Sequence, residues 1–157
     1  MPVNIEIKGN LARLLATENL IVEHKKVETA QFNTQTRVLT LPIWNTSSNF
    51  VYDMLVAHEV GHALFTPCVD WKQGKYKSLP HSYVNIVEDA RIEKLMKNKF
   101  AGLNRDFYKG YEELNSNDFF ELHDKNVNEM KFIDKINLYF KLGAFLCLEF
   151  NDIENQF

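Results

Sequence analysis

The chain has few features of a secreted or membrane-spanning protein. Among its 157 residues there are only two cysteines, Cys68 and Cys147, and they form no paired pattern. The longest apolar stretch, residues 142–148, is much shorter than the roughly 18 residues that cross a bilayer. The first ten residues, MPVNIEIKGN, lack the basic start and apolar run of a secretory signal. We therefore expect a cytoplasmic protein with free thiols and no membrane contact.

The chain also lacks a strong charge of either sign. Lys and Arg number 18 against 21 Asp and Glu, which leaves a net charge of -3. Nothing in this balance attracts nucleic acid or an anionic membrane, so neither is expected as a partner. Hydrophobic residues make up 45% of the chain and aromatic residues 13%, which is enough to build one globular domain over residues 1–157.

The order of apolar patterns predicts an α+β fold. After one short helical pattern come three β-like runs, and proline at position 42 marks the third as an edge strand or as the end of a strand. Further helical patterns follow, so we expect a small mixed or antiparallel sheet packed on helices. The β-like runs are 20–24, 28–32 and 36–44. The helical patterns are 10–18, 50–65, 105–114 and 128–148, together with one that starts at Ser78 and Pro80.

The run HEVGH lies inside the helical pattern 50–65 and has the spacing of a metal site. His58 and His62 are four residues apart, so their imidazoles project from one face of a helix and can reach one ion. Imidazole nitrogen suits Zn²⁺. Glu59 would lie beside the ion, where it could hold a metal-bound water and take its proton as the general base. Such a motif also arises by chance, but polar groups in an apolar helix are costly without a partner.

A catalytic zinc ion needs a third protein ligand. Cys68 follows His62 by six residues, but Phe65 stands where related sites place the glycine that allows a turn. The helical run YVNIVEDARIE offers Glu88 and Asp89. We expect Glu88 to be the ligand, with Asp89 as the alternative, and the other carboxylate to orient a histidine.

HEVGHALFTP together with NIVEDARIE resembles the gluzincin branch of the zincin metallopeptidases over residues 36–97. More narrowly, it is similar to metallopeptidase-like domains of CobT-type and tailed-bacteriophage proteins. The resemblance implies a zincin-like fold with an active-site helix and a second metal-ligand helix. It implies His58, His62 and Glu88 as zinc ligands and Glu59 as base. It also implies a von Willebrand A-type module or a partner protein, so that the chain is either the N-terminal part of a longer protein or a stand-alone version. Its place would be the host cytoplasm if a phage encodes it.

With Glu88 as the third ligand, the chain departs from the thermolysin-like pattern at two positions. That pattern has Asn before the ligand and an acidic residue four places after it, whereas this chain has Val87 and Ile92 at those positions. This departure motivates an alternative function, a catalytically inactive zincin-fold binding or assembly module with structural zinc. An adaptor with no metal is a third hypothesis, in which ordinary hydrogen bonds satisfy both histidines.

The main hypothesis is a zinc metallopeptidase that cleaves a peptide or protein by Glu59-assisted attack of zinc-bound water. Its transition state needs a hydrogen-bond donor for the developing oxyanion. His81, Tyr83 and Arg91 are the candidates. The run 36–41 is a candidate edge strand for binding substrate through main-chain hydrogen bonds.

Overall fold

A computed structural model of the chain describes residues 3–45, 47–68 and 77–156. It has an α+β fold with a three-stranded mixed sheet, as expected. The elements are α1 (Ile5–Ala16), β1 (Ile21–Lys25), β2 (Gln31–Asn33), β3 (Val38–Pro42), α2 (Asn49–Phe65), α3 (His81–Lys99), α4 (Leu103–Ser116) and α5 (Phe132–Leu142), with short 3-10 turns at Val127–Glu129 and Glu154–Gln156.

The sheet has the strand order β1-β3-β2. β1 runs parallel to β3, with Ile21 opposite Val38, and β2 runs antiparallel to β3, with Phe32 opposite Leu39. The run 36–41, predicted as an edge strand, is therefore the central strand. Its buried residues Leu39 and Leu41 explain the position, because both lie fully inside the core. Pro42 ends β3, which is the second of the two placements that proline allows.

Helix α2 forms the centre of the molecule. It begins at Ser48, whose side-chain oxygen accepts hydrogen bonds from the backbone N–H groups of Phe50 and Val51. It packs against α1, α3, α4 and the strands β2 and β3, so that ten of its residues are buried. This burial on every side fits the apolar sequence of the helix and fixes the direction in which its polar residues point.

The first helix begins earlier than its sequence suggests. The predicted helical pattern starts at residue 10, but Asn4 caps the helix by accepting from the N–H groups of Glu6 and Ile7. The buried residues Lys8 and Ala12 lie on the face towards α2, where the Lys8 ammonium is 2.6 Å from the Asp53 carboxylate. This ion pair joins the first turns of α1 to α2.

The last helix is shorter than the predicted run 128–148. It spans Phe132–Leu142, and the chain after it turns back on the helix. Lys135 on α5 is buried, and its ammonium holds the Glu154 carboxylate at 2.5 Å and the backbone oxygen of Glu149 at 3.1 Å. The apolar pattern of the sequence does not show where the helix ends, because residues before and after Leu142 both contribute to the core. Within the described residues, no helix has the length and apolar character needed to cross a membrane.

Candidate metal centre

Helix α2 presents two imidazoles side by side. His58 and His62 lie one turn apart, and their ring centroids are separated by 5.1 Å. Both side chains are largely buried, with 15% and 19% of their surface exposed. The four-residue spacing in HEVGH thus brings the two imidazoles to the same face of α2, as helix geometry predicts.

The third group beside these rings is Asp89 on α3. Its Oδ1 atom lies 3.6 Å from Nε2 of His58 and 3.4 Å from Nε2 of His62. A tetrahedral zinc ion with bonds of about 2.0–2.1 Å keeps neighbouring ligand atoms roughly 3.3–3.4 Å apart. A charge-assisted hydrogen bond would be shorter, about 2.7–2.9 Å. These two distances therefore fit the ligand shell of a small divalent cation better than direct hydrogen bonds, and the three ligand atoms lie within 4.8 Å of one another.

Gly61 lets the two ligand helices approach each other. A Cβ atom at this position would lie 2.8 Å from Cδ1 of Ile92 and 3.0 Å from Cγ of Met96, both too close. Ile92 and Met96 are fully buried on α3 and cannot move aside into solvent. The glycine inside HEVGH thus allows α3 to bring Asp89 within reach of the histidines.

Glu93 fixes the orientation of His58. Its Oε1 atom lies 3.0 Å from Nδ1 of His58 and accepts a 2.5 Å hydrogen bond from the hydroxyl of Tyr111. An ionised carboxylate can only accept, so Nδ1 of a neutral His58 carries the ring proton. Its Nε2 lone pair is then directed towards Asp89. Glu93 is only 3% exposed, and the sequence analysis did not identify this role for it.

A second chain of hydrogen bonds fixes His62. Its Nδ1 lies 2.8 Å from the hydroxyl of Thr66, and this hydroxyl donates a 2.5 Å hydrogen bond to Oε1 of Glu88. Because a hydroxyl has one proton and Thr66 gives it to Glu88, Thr66 accepts from His62. Nε2 of a neutral His62 is therefore also unprotonated. With both rings neutral, two lone pairs and a carboxylate oxygen thus meet, and either a proton on one ring or a bound cation relieves their repulsion.

Glu88 does not occupy the ligand position that the sequence analysis favoured for it. Its carboxylate is held by Arg91, whose Nε and Nη2 atoms donate to it at 2.7 Å each. Nη2 of Arg91 also donates to the backbone oxygen of Phe65 at 2.7 Å, at the end of α2. The structure thus places Asp89, the alternative, beside the two imidazoles, whereas Glu88 contacts His62 through the hydroxyl of Thr66.

The charges of the site are strongly coupled. Burial alone would lower the pKa of His58, but its hydrogen bond to Glu93 and the nearby carboxylates outweigh burial and raise that pKa to about 9. Burial would raise the pKa of Asp89, yet contact with His62 and the charges of His58 and Lys141 lower it to about 2. In the metal-free protein a proton on His58 therefore supplies part of the positive charge that the site requires.

Glu59 is a buried carboxylate with no direct partner. Only 6% of its surface is exposed, and among the described residues its carboxylate has no hydrogen-bond or ion-pair partner. Burial raises its pKa, against the lowering effect of His58 and His62. Glu59 lines the cleft above the imidazoles, and its carboxylate oxygens are open to that cleft and not enclosed. An unpartnered carboxylate at such a position suits a general base that exchanges protons with a water.

A cleft of about 570 Å³ opens over these residues. One wall comes from β2 and the residues beside it, namely Thr29, Ala30, Gln31, Phe32 and Thr34. His58, Glu59, His62 and Asp89 form its base, and His81 and Lys141 also line it. The protein groups needed for metal-assisted hydrolysis therefore share one accessible space.

The remaining residues predicted from sequence as oxyanion donors or as a metal ligand lie in different surroundings. His81 lies at the surface and lines the cleft. Tyr83 is 41% exposed and lines a neighbouring apolar groove with Val87, so it does not face the imidazoles. Arg91 is engaged by Glu88 and the end of α2. Cys68 is exposed and lies outside the group of possible ligands found among the described residues.

With Asp89 in place of Glu88 as the third candidate ligand, the chain has the acidic residue that the thermolysin-like pattern places four positions later. Counted from Asp89, the position four residues on is Glu93, an acid that contacts His58, and not Ile92. A sequence signal for this choice exists, since Asp89, Glu93 and Met96 follow one another at helical spacing on the inner face of α3. No such signal marks Lys141, which lies 52 residues from Asp89.

Comparison of the chain with protein-family models, with curated proteins and with solved structures found no match.

Proposed function

We propose that this protein is a zinc-dependent hydrolase, and that it is a metallopeptidase of the zincin type. The observation that carries the proposal is the convergence of Nε2 of His58, Nε2 of His62 and Oδ1 of Asp89 beside the unpartnered carboxylate of Glu59. Three ligands leave one position of a tetrahedral ion for a water or substrate, as catalytic zinc sites require. A purely structural site gives no role to Glu59.

Each residue of the site has a separate role in the proposed hydrolysis. When bound, zinc would lower the pKa of a water towards neutrality and polarise a carbonyl group. Glu59 takes a proton from the attacking water and later gives it to the leaving amine nitrogen. Its raised pKa suits both transfers, because a base with a pKa nearer neutrality also returns the proton more readily. Glu93 and Glu88, the latter through Thr66, hold the two imidazoles in position.

The sheet supports a peptide as the substrate. Within the described part of the chain, β2 is an edge strand that pairs only with β3. Residues 29–34 border the cleft, so an extended peptide beside β2 would pass over the imidazoles. Such a peptide can add to the sheet through main-chain hydrogen bonds. The substrate-binding role expected of the run 36–41 thus passes to β2, because β3 already has a neighbour on each side.

The rival hypothesis of a structural zinc site requires a fourth protein ligand. The thiol of Cys68 is exposed, and the group of possible ligands among the described residues contains only His58, His62 and Asp89. This composition favours an open site over a closed one.

The proposal is tested with protein purified without a metal-affinity tag. We expect about one equivalent of zinc by elemental analysis, and cleavage of unstructured peptides that a chelator abolishes and zinc restores. Glu59→Gln should keep the zinc and lose about 10²–10⁴-fold in kcat, since it removes only the general base. Glu121→Gln, a change of the same chemistry at an exposed site, is the matched control. A wild-type protein that binds no divalent metal, or a Glu59→Gln variant with full turnover, would overturn the proposal.

A further inference from the structure

Lys141 brings a positive charge into the cleft from a distant part of the chain. Its ammonium lies 3.2 Å from Oδ2 of Asp89, and only 19% of its side chain is exposed. Among the described residues that line the cleft, it is the only lysine or arginine. The sequence analysis gave it no role.

The ion pair with Asp89 uses only one of the two carboxylate oxygens. Oδ1 faces the imidazoles, and Oδ2 faces Lys141. In the metal-free protein the ammonium helps to balance the negative charge of Asp89. A divalent cation on the Oδ1 side would take over that task, and its charge would repel the ammonium. Lys141 would then be a largely buried cation with an incomplete partner, which favours an anionic oxygen beside it.

None of the three donors expected from sequence is as well placed to bind such an oxygen. Arg91 is engaged by Glu88 and by the backbone oxygen of Phe65. Tyr83 faces the neighbouring groove, and His81 lies at the surface of the cleft. Lys141 places an ammonium group in a largely buried position next to Asp89, and electrostatic stabilisation is strongest where water is excluded.

We propose that Lys141 is a catalytic residue that binds the carbonyl oxygen of the scissile bond as that oxygen becomes negative. The inference rests on the proposed hydrolytic function. Water oxygen forms a bond to the carbonyl carbon, the carbonyl π electrons move to the oxygen, and Glu59 takes the water proton. Lys141 stays protonated throughout and donates a hydrogen bond to the anionic oxygen. When the carbonyl re-forms, the C–N bond breaks, and the amine nitrogen takes the proton from Glu59.

A catalytic role and a positioning role of Lys141 make opposite predictions for zinc affinity. If Lys141 binds the oxyanion, Lys141→Met removes a repulsive cation from beside the metal, so zinc should bind as tightly as in the wild type or more tightly. The same variant should lose about 10²–10³-fold in kcat with little change in KM, which is typical for loss of one oxyanion donor. Lys141→Arg should recover part of kcat, because it keeps the charge.

The experiment measures zinc affinity by competition with a chromogenic chelator, and kcat and KM on one cleaved peptide at saturating zinc. Lys131→Met, an exposed lysine at the start of α5, is the matched control. Circular dichroism and thermal melting check that each variant is folded, and Lys141→Gln replaces Lys141→Met should the latter fail to fold. Unchanged kcat in the folded variant, or weakened zinc binding with turnover restored by excess zinc, would overturn the catalytic role alone. An inactive wild type would instead remove the proposed function, and this inference with it.

Discussion

At the scale of single residues, the site depends on where a few protons lie. Glu93 and Thr66 each accept the ring N–H of one histidine, so that the other nitrogen of each ring is left for a cation. Glu88 and Asp89 are neighbours in sequence but differ in role, because successive residues of a helix point about 100° apart. One faces the imidazoles, and the other faces Arg91.

Substitution of the two acids tests this division. Asp89→Asn should weaken zinc binding by more than about 100-fold, since it removes a charged ligand, whereas Glu88→Gln should weaken it by about 10–100-fold, as for groups that only orient a ligand. Titration of each metal-free variant with zinc against a chelator measures the two effects. A greater loss for Glu88→Gln would show that Glu88 is the ligand.

The pKa of His58, raised to about 9, predicts opposite trends with pH in the metal-free protein and in zinc binding. A histidine with a raised pKa stabilises the fold most below its ordinary pKa of about 6.5, and that contribution is lost as pH rises through 9. Zinc needs the neutral ring, so apparent zinc affinity should rise by up to about tenfold per pH unit over the same window and then level off. Denaturant unfolding without metal and zinc titrations between pH 6.5 and 9 measure both. A zinc affinity independent of pH would contradict the prediction.

At the scale of elements, the site is the crossing point of α2 and α3, with α5 adding one side chain. α2 supplies both imidazoles and Glu59, and α3 supplies Asp89. The crossing is close because Gly61 has no side chain to hold α3 away. Edge strand β2 borders the same cleft, so the sheet and the two helices meet where the chemistry is proposed.

Gly61→Val should disturb both stability and the metal site. Three added carbon atoms have no room against Ile92 and Met96, and overpacking of this kind costs about 1–3 kcal/mol or more. We expect a free energy of unfolding lower by about 3 kcal/mol and weaker zinc binding, because α3 must move with Asp89. Urea unfolding and zinc titration measure the two effects. Gly102→Val is the control, since nothing lies within 4 Å of a Cβ atom there, and equal losses in both variants would refute the argument from close approach.

At the scale of the whole molecule, the candidate metal site joins parts of the chain that are distant in sequence. Its ligands lie on helices that begin at residues 49 and 81, and Lys141 comes from the helix Phe132–Leu142. These helices and the sheet share one hydrophobic core. An ion bound to both α2 and α3 would therefore stabilise the folded state as a whole, since the unfolded chain has no such site.

Metal removal should accordingly lower the thermal stability of the protein. Zinc at about 100 times its Kd adds about 2.7 kcal/mol, which for a domain of this size corresponds to roughly 5–10 °C in Tm. Calorimetry of the metal-free protein with and without zinc measures the difference. His62→Ala should show no such rise, and calcium should not replace zinc because it prefers oxygen ligands. An equal rise in His62→Ala would place the stabilising zinc at another site.

The prediction from sequence was best where short-range geometry decides the outcome. The pairing of His58 with His62 follows from the pitch of one helix. The order of β-like and helical runs predicted the α+β fold, because apolar periodicity is local. It did not predict the start of α1 at Asn4, which capping and an ion pair to α2 decide.

The amino-acid sequence by itself determined two imidazoles and a carboxylate on one helix, and an acidic pair on the next. Only the tertiary structure decided that Asp89 faces the imidazoles, that Glu93 orients His58, that β2 is the edge strand, and that Lys141 enters the cleft. The reason is physical. The pitch of a helix fixes neighbours three and four residues apart, whereas the rotation of one helix against another depends on how all buried side chains pack together.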